Sequence, residues 1–217
     1  MKFFNYDNPI MSFLSKMADL FVLNLLSILF SIPIITMGAA ITATHYTALK
    51  LRREEGHVFS CFWKSFRENL KQSTCIWIVF LLHSFILFWA YRLSLQMDDS
   101  MTKIIQGVIV SVGLVTALIY AWIMPLQSRF INPILITLKN AFYMSFKYIL
   151  RTVLMMIINL LPIGLLVFIV FQWRFKGFGI WLLFGISVPI YWCALLYDKV
   201  FEKIEEQILE NSQHELE

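Results

Sequence analysis

Charged side chains are scarce in this chain. Asp, Glu, Lys and Arg make up 15% of its 217 residues, against about 25% in a soluble domain. A globule of this size could not coat itself against water with so few charges. The hydrophobic share is 59%, where about 45–50% is usual, and mean hydropathy is +0.71. These deficits exclude a soluble enzyme, a disordered tail protein and a disulfide scaffold. They leave an integral membrane protein.

The patterns that carry chemistry are also missing. Cys61, Cys75 and Cys193 lie far apart and form no CxxC pair. An odd, scattered set of cysteines predicts no disulfide framework. His45, His57, His83 and His214 lack metal-ligand spacing, so no metal or other cofactor is expected. No phosphate-cradling glycine loop and no nucleophile elbow is present. The sequence therefore predicts a protein that is not an enzyme and has no catalytic residues. A membrane-embedded chain is also a poor candidate for nucleic-acid binding, and its first expected partner is the bilayer.

What is present is long uncharged stretches. Residues 20–49, 72–91, 104–128, 152–173 and 177–197 contain no Asp, Glu, Lys or Arg, and hold 30, 20, 25, 22 and 21 residues. About 20 apolar residues of helix cross a hydrocarbon core. Five transmembrane helices in one membrane domain, 1–217, are expected. The first window is not expected to be a signal peptide, because 19 residues precede it, including Asp7 and Asp19. Connections on one side (44–71, 129–151 and the tail) hold twelve Lys and Arg, and those on the other hold six. The positive-inside rule then puts the C-terminus in the cytoplasm and the N-terminus outside.

Two segments repeat at an offset of 80. Phe62-Trp63-Lys64-Ser65-Phe66-Arg67-Glu68-Asn69-Leu70-Lys71 matches Phe142-Tyr143-Met144-Ser145-Phe146-Lys147-Tyr148-Ile149-Leu150-Arg151 in its aromatic, serine and basic positions. Each lies between two uncharged windows. The chain thus reads as an all-α bundle of two parallel span–amphipathic helix–span repeats, about 20–91 and 104–173. A fifth span, 177–197, and an acidic tail, 198–217, follow. Phe59, Phe62, Trp63, Phe66 and Leu70 fall on one helical face, among Lys64, Arg67 and Lys71. In the second copy Leu135, Leu138, Phe142, Phe146 and Ile149 do the same, with Lys139, Lys147 and Arg151. Such basic amphipathic helices face an anionic lipid surface or dock a partner. Residues 198–217 carry net −5, and residues 1–197 carry +9. The tail should continue span five as a cytoplasmic helix, either solvated, folded back on the basic helices or receiving a partner.

Inside the windows, polar residues are few. His83 sits midway along the second, with Ser84 beside it. It reads as a neutral hydrogen-bonded packing residue or as a proton or substrate relay. Asn24, Gln106 and Asn159 read as interhelical glue. No window contains an acid, which counts against carboxylate-coupled transport. Pro33 should kink the first span, which then either packs closely through Gly38/Thr42 and Ala39/Ala43 or lines a substrate path.

Phe4-Asn5-Tyr6-Asp7-Asn8-Pro9, Lys16-Met17-Ala18-Asp19-Leu20, Asn24-Leu25-Leu26, Ser31 through Ala39 and Tyr46 through Lys50 resemble the YesL family. That is a Gram-positive bacterial membrane family of unknown function. The resemblance runs over most of the chain and is densest in residues 1–75. Asn8 stands where the family has Gly, a change that a turn tolerates. The resemblance implies a carbohydrate-uptake setting, beside sugar-type ABC importers and glycan-degrading enzymes, and it implies no catalytic residues. The chain lacks the Glu-Ala-Ala-x3-Gly loop of an importer permease. The expected role is a non-enzymatic accessory protein of a carbohydrate ABC importer, with importer subunits as partners. The alternative is a small solute transporter working through the repeat interface.

Overall fold

The structure is a computed structural model that describes residues 9–96, 101–173 and 183–214. Among these residues every regular element is helical: α1 (Pro9–Ser31), a 3-10 turn (Ile34–Thr36), α2 (Met37–Arg52), α3 (Val58–Ser94), α4 (Thr102–Arg129), α5 (Ile134–Lys147), α6 (Ile149–Trp173) and α7 (Ser187–His214). Three of them, α1, α3 and α4, are long and apolar enough to cross a bilayer. The pair α5–α6, bent by 100°, makes a fourth if it counts as one broken span. The chain is a multi-pass membrane protein.

The window 20–49 is not one kinked span, as the sequence suggested, but a helical hairpin. Ser31 ends α1, Pro33 is extended (φ −73, ψ 110), and α2 runs back. Proline has no N–H to give and disfavours helix at the residue before it, so the chain stops where Ile32 meets Pro33. The Thr36 hydroxyl lies 2.9 Å from the Phe30 carbonyl and 3.0 Å from that of Pro33, closing the turn. The arms are antiparallel: the Ser27 and Thr44 hydroxyls are 2.6 Å apart, and Lys16 pairs with Glu54 at 3.1 Å. The N-terminal part of α1 therefore lies at the same end of the molecule as the 53–57 loop, where the single-span reading had separated them.

α2 is the centre of the bundle and packs against α1, α3, α4 and α7. Its small residues make this possible. Gly38, Ala39, Ala40, Thr42, Ala43, Thr44, Thr47 and Ala48 are all buried. A Cβ on Gly38 would lie 2.6 Å from both the Ser73 carbonyl oxygen and Trp77 Cβ. The small-residue pairs thus form the expected packing seam, with α3 lying against it. Thr42 and Ser73 hydroxyls are 3.0 Å apart, and Trp77 Nε1 donates to the Ile34 carbonyl at 2.8 Å.

α3 is one uninterrupted helix of 37 residues, about 55 Å at 1.5 Å per residue. The first amphipathic segment and the span after it are thus one helix, not two elements. α3 continues well past Trp77, beyond the α1–α2 turn, with α4 returning beside it. Phe80 stacks on Tyr120 with ring centroids 4.0 Å apart. Past that point Val79, Leu82, Phe85, Val108 and Leu114 are exposed, as befits side chains whose solvent is lipid.

The second copy of the repeat folds differently. Its amphipathic helix, α5, breaks at Tyr148 (φ −116, ψ 43) before α6 starts. Thr152 fixes this corner. Its hydroxyl lies 3.1 Å from the carbonyls of Ser145 and Tyr148 and accepts the Trp122 indole N–H at 2.8 Å. α7 carries the second half of the fifth window straight on into the tail, so the tail is helical to His214. Residues 177–182 of that window and the 174–176 turn lie outside the described residues.

Candidate functional site

The sequence-nominated residues do not converge. Phe62 and Phe66 are 1% and 7% exposed and pack on Phe30, with centroids at 5.5 and 4.8 Å. They were expected to face lipid or a partner, and they do neither. The α1–α2 hairpin covers them, and burying two large aromatic side chains stabilises that cover. Trp63 stays exposed at the edge of this cluster, with Arg67 over its ring at 5.9 Å. Lys64, Arg67 and Lys71 are exposed. In the second copy Phe142 and Phe146 are 52% and 47% exposed, and they lean on each other at 5.0 Å. Lys147 lies over Tyr143 at 5.1 Å and Arg151 over Tyr148 at 5.6 Å. Arg151 also donates to the Leu196 carbonyl at 3.3 Å.

The intramembrane polar residues are mostly engaged in packing. His83 Nε2 meets the Thr116 hydroxyl at 3.1 Å, tying α3 to α4. Asn159 Nδ2 donates to the Met155 carbonyl at 2.8 Å and to Cys193 Sγ at 3.3 Å. Asn24 is glue of a specific kind. Its Oδ1 accepts the backbone N–H groups of Ile186 (2.8 Å) and Ser187 (3.0 Å), so a side chain from α1 caps the start of α7. Pro33 lies in the hairpin turn, exposed.

The acidic tail does fold back, though not onto the basic faces the sequence offered. Asp198, 4% exposed, accepts from Arg53 at 2.8 Å and lies 3.6 Å from Arg52 Nε. Glu202 reaches Arg53 at 3.4 Å. Glu205 takes a two-pronged pair of hydrogen bonds from Arg129, and those bonds hold its carboxyl below the usual carboxylate range. Glu55 is lowered likewise by its hydrogen bond from Lys50. These arginines end α2 and α4, where a cation also complements the helix dipole.

One cavity, of about 420 Å³, opens between α2, α4, α6 and α7. Its lining is almost wholly apolar and carries no charge. The polar side chains on it are Ser31, His45, Tyr120 and Asn159. His45 Nδ1 and the Tyr197 hydroxyl are 3.0 Å apart. Among the described residues the Tyr120 hydroxyl is buried without a hydrogen-bond partner. Sequence reasoning passed over this group. The one available signal was His45, the single histidine inside the 20–49 window. Among the described residues no cluster of His, Cys, Asp or Glu could hold a metal ion.

Residues 20–91 match the family described as "Protein of unknown function, DUF624". The chain is also 27% identical, over 154 residues, to "Uncharacterized protein YesL" of Bacillus subtilis (strain 168), covering 68% of this chain and 72% of that protein. Both comparisons support the resemblance to the YesL family. No solved structure matches it. The stretch matched by the family of unknown function runs from Leu20 through Tyr91. It holds Asn24, the hairpin turn, the small-residue α2 and the Phe30–Phe62–Phe66 cluster. The exposed α5 and most of the cavity wall lie beyond it. The matched stretch thus coincides with the packing centre of the bundle.

Proposed function

We propose that this chain is a non-catalytic membrane accessory protein of the YesL kind that docks a partner complex through α5, in a carbohydrate ABC importer or glycan-utilisation system. The observation that carries this reading is the unequal burial of the two repeat copies. Phe62 and Phe66 are enclosed, while Phe142 and Phe146 stand exposed beside Tyr143 and Lys147. Exposed aromatics flanked by cations are the residue types that dominate protein interfaces. The non-catalytic part is supported by the engagement of His83, Asn159, Asp198 and Glu205 in structural bonds. The importer setting is supported by the family resemblance alone.

The same reading puts α5, the arginine-rich ends of α2 and α4, the start of α1 and the end of α7 on the cytoplasmic side. The twelve Lys and Arg counted there are joined by Lys16, through its pair with Glu54, and such an excess marks a cytoplasmic face. The test is gentle-detergent purification of tagged protein from its own host. Importer subunits should accompany the wild type and fall away from Phe142→Ala/Phe146→Ala. If they stay at full yield while α5 becomes protease-sensitive, α5 lies on lipid and the docking reading fails.

A second reading, solute transport, is favoured by the cavity between α2, α4, α6 and α7. Uptake of a solute by liposomes holding the protein alone would support it. Four polar side chains on an uncharged wall give a sugar few partners for its hydroxyls, which weighs against a hydrophilic cargo.

A further inference from the structure

The cavity between α2, α4, α6 and α7 has the size of a small-molecule site, about 300–1,000 Å³ being usual, and an uncharged, apolar wall. Exposed Leu160 and Ile163 of α6 border it. Its mouth therefore opens sideways, among side chains that face lipid. Water or an ion entering there would leave hydrogen bonds behind, whereas a hydrocarbon chain would not.

The polar end of the site follows from His45. Tyr197 is fully buried, and among the described residues its hydroxyl meets one acceptor, His45 Nδ1, at 3.0 Å. A buried hydroxyl whose proton has a single acceptor donates to it. Nδ1 thus accepts, and the ring proton sits on Nε2. Nε2 has no hydrogen-bond partner among the described residues, so His45 brings an N–H donor to the cavity. Asn159, on the opposite wall, has spent its Nδ2 on Met155 and Cys193, which leaves its Oδ1 as an acceptor. Pro125 and Pro162, inside α4 and α6, also border the cavity. Having no N–H, they leave the carbonyls of Ala121 and Ile158 without their helical donors. The site therefore offers the His45 Nε2–H and the unpartnered Tyr120 hydroxyl as donors, several acceptors and no charge.

We propose that this cavity binds a single-chain neutral lipid from the bilayer, its hydrocarbon chain along Met124, Met156 and Ile190 and its alcohol or ester oxygen accepting the His45 Nε2–H. A hydroxyl on the same head would donate to the acceptors. A phosphate or carboxylate head would be desolvated with no cation to meet it, since Arg52, Arg53 and Arg129 face the acids of α7.

The test uses full-length protein in nanodiscs and a long-chain alcohol carrying a diazirine on its chain, with labelled peptides read by mass spectrometry. Labelling should fall on residues 117–124 of α4 and 156–163 of α6. It should be saturable, competed by unlabelled alcohol and not by the corresponding alkyl phosphate. Ala121→Trp, which fills the cavity, should abolish it. His45→Phe should weaken the alcohol probe about three- to tenfold, the worth of one net hydrogen bond, and leave an alkane probe unchanged. Leu114→Trp, on the exposed face of α4, should change nothing. Non-saturable labelling spread over α3 and α4, or labelling that survives Ala121→Trp in folded protein, overturns the site. Equal competition by the alkyl phosphate overturns the neutral head. The competition experiment needs only wild-type protein, so a variant that fails to fold does not shelter the proposal.

Discussion

Arg129 and Glu205 meet through two parallel hydrogen bonds, Nε to Oε1 at 2.7 Å and Nη2 to Oε2 at 2.9 Å. They tie the end of α4 to the extension of α7, 76 residues further along the chain. The two-pronged geometry fixes direction as well as distance. With Asp198 and Glu202 on Arg53, it makes the acidic tail part of the bundle's charged end.

The Glu205 carboxyl is lowered by its bonds from Arg129, burial opposing. A lowered folded-state value means a contribution present above the unfolded value, near 4.3, and lost as pH falls through the folded one. Between about pH 5 and pH 3 the α7 extension should become protease-sensitive before the rest of the protein. Glu205→Gln should remove that pH step and cost about 0.5–1 kcal/mol at neutral pH, the partners being partly solvated. Limited proteolysis across pH measures both.

Asp198 is a different case, because its side chain is 6% exposed. Removing one partner of a buried pair strands the other. Asp198→Ala should cost about 3 kcal/mol, and Arg53→Met in the same chain should recover part of it. Thermal unfolding of the two single variants and the double variant checks this. Additive losses would mean that Arg53 and Asp198 are not coupled.

Gly38 and Gly107 form a matched pair. Alanine at 38 would press its Cβ to 2.6 Å from the Ser73 backbone, whereas alanine at 107 would meet nothing within 4 Å. Gly38→Ala should lower stability by about 1–3 kcal/mol through overpacking. Gly107→Ala should be neutral or stabilising, since alanine favours helix by about 1 kcal/mol. Melting temperatures in one detergent decide it.

Asn24→Leu keeps volume but removes the cap on α7. The N–H groups of Ile186 and Ser187 lose their shared acceptor, at a cost of about 1–2 kcal/mol. Hydrogen exchange should quicken at those two amides and leave the α3–α4 contact at His83 unchanged.

The hairpin makes a topological prediction. Single cysteines replacing Lys16 and Glu54, in a chain freed of its native cysteines, should react with an impermeant maleimide from the same face of the membrane. Reaction from opposite faces would restore the single span over residues 20–49.

Much was fixed by composition and spacing. The uncharged windows at 72–91, 104–128 and 152–173 fall inside α3, α4 and α6, because a charge in hydrocarbon is costly and its absence leaves a mark. The basic ends, the helical tail and the YesL resemblance were legible for similar local reasons. The first window misled because a helix wrapped in protein and one wrapped in lipid are equally free of charge. α2 is uncharged through Leu49 because neighbouring helices surround it, and only the contacts of Ser27 with Thr44 and of Lys16 with Glu54 reveal that it runs back beside α1. The repeat was visible in the sequence. Which of its copies would bury its phenylalanines was not, since that depends on Phe30 arriving from another helix. The cavity at His45 belongs wholly to the tertiary structure. Its walls come from several helices, and no one of them carries a pattern that marks the space between them.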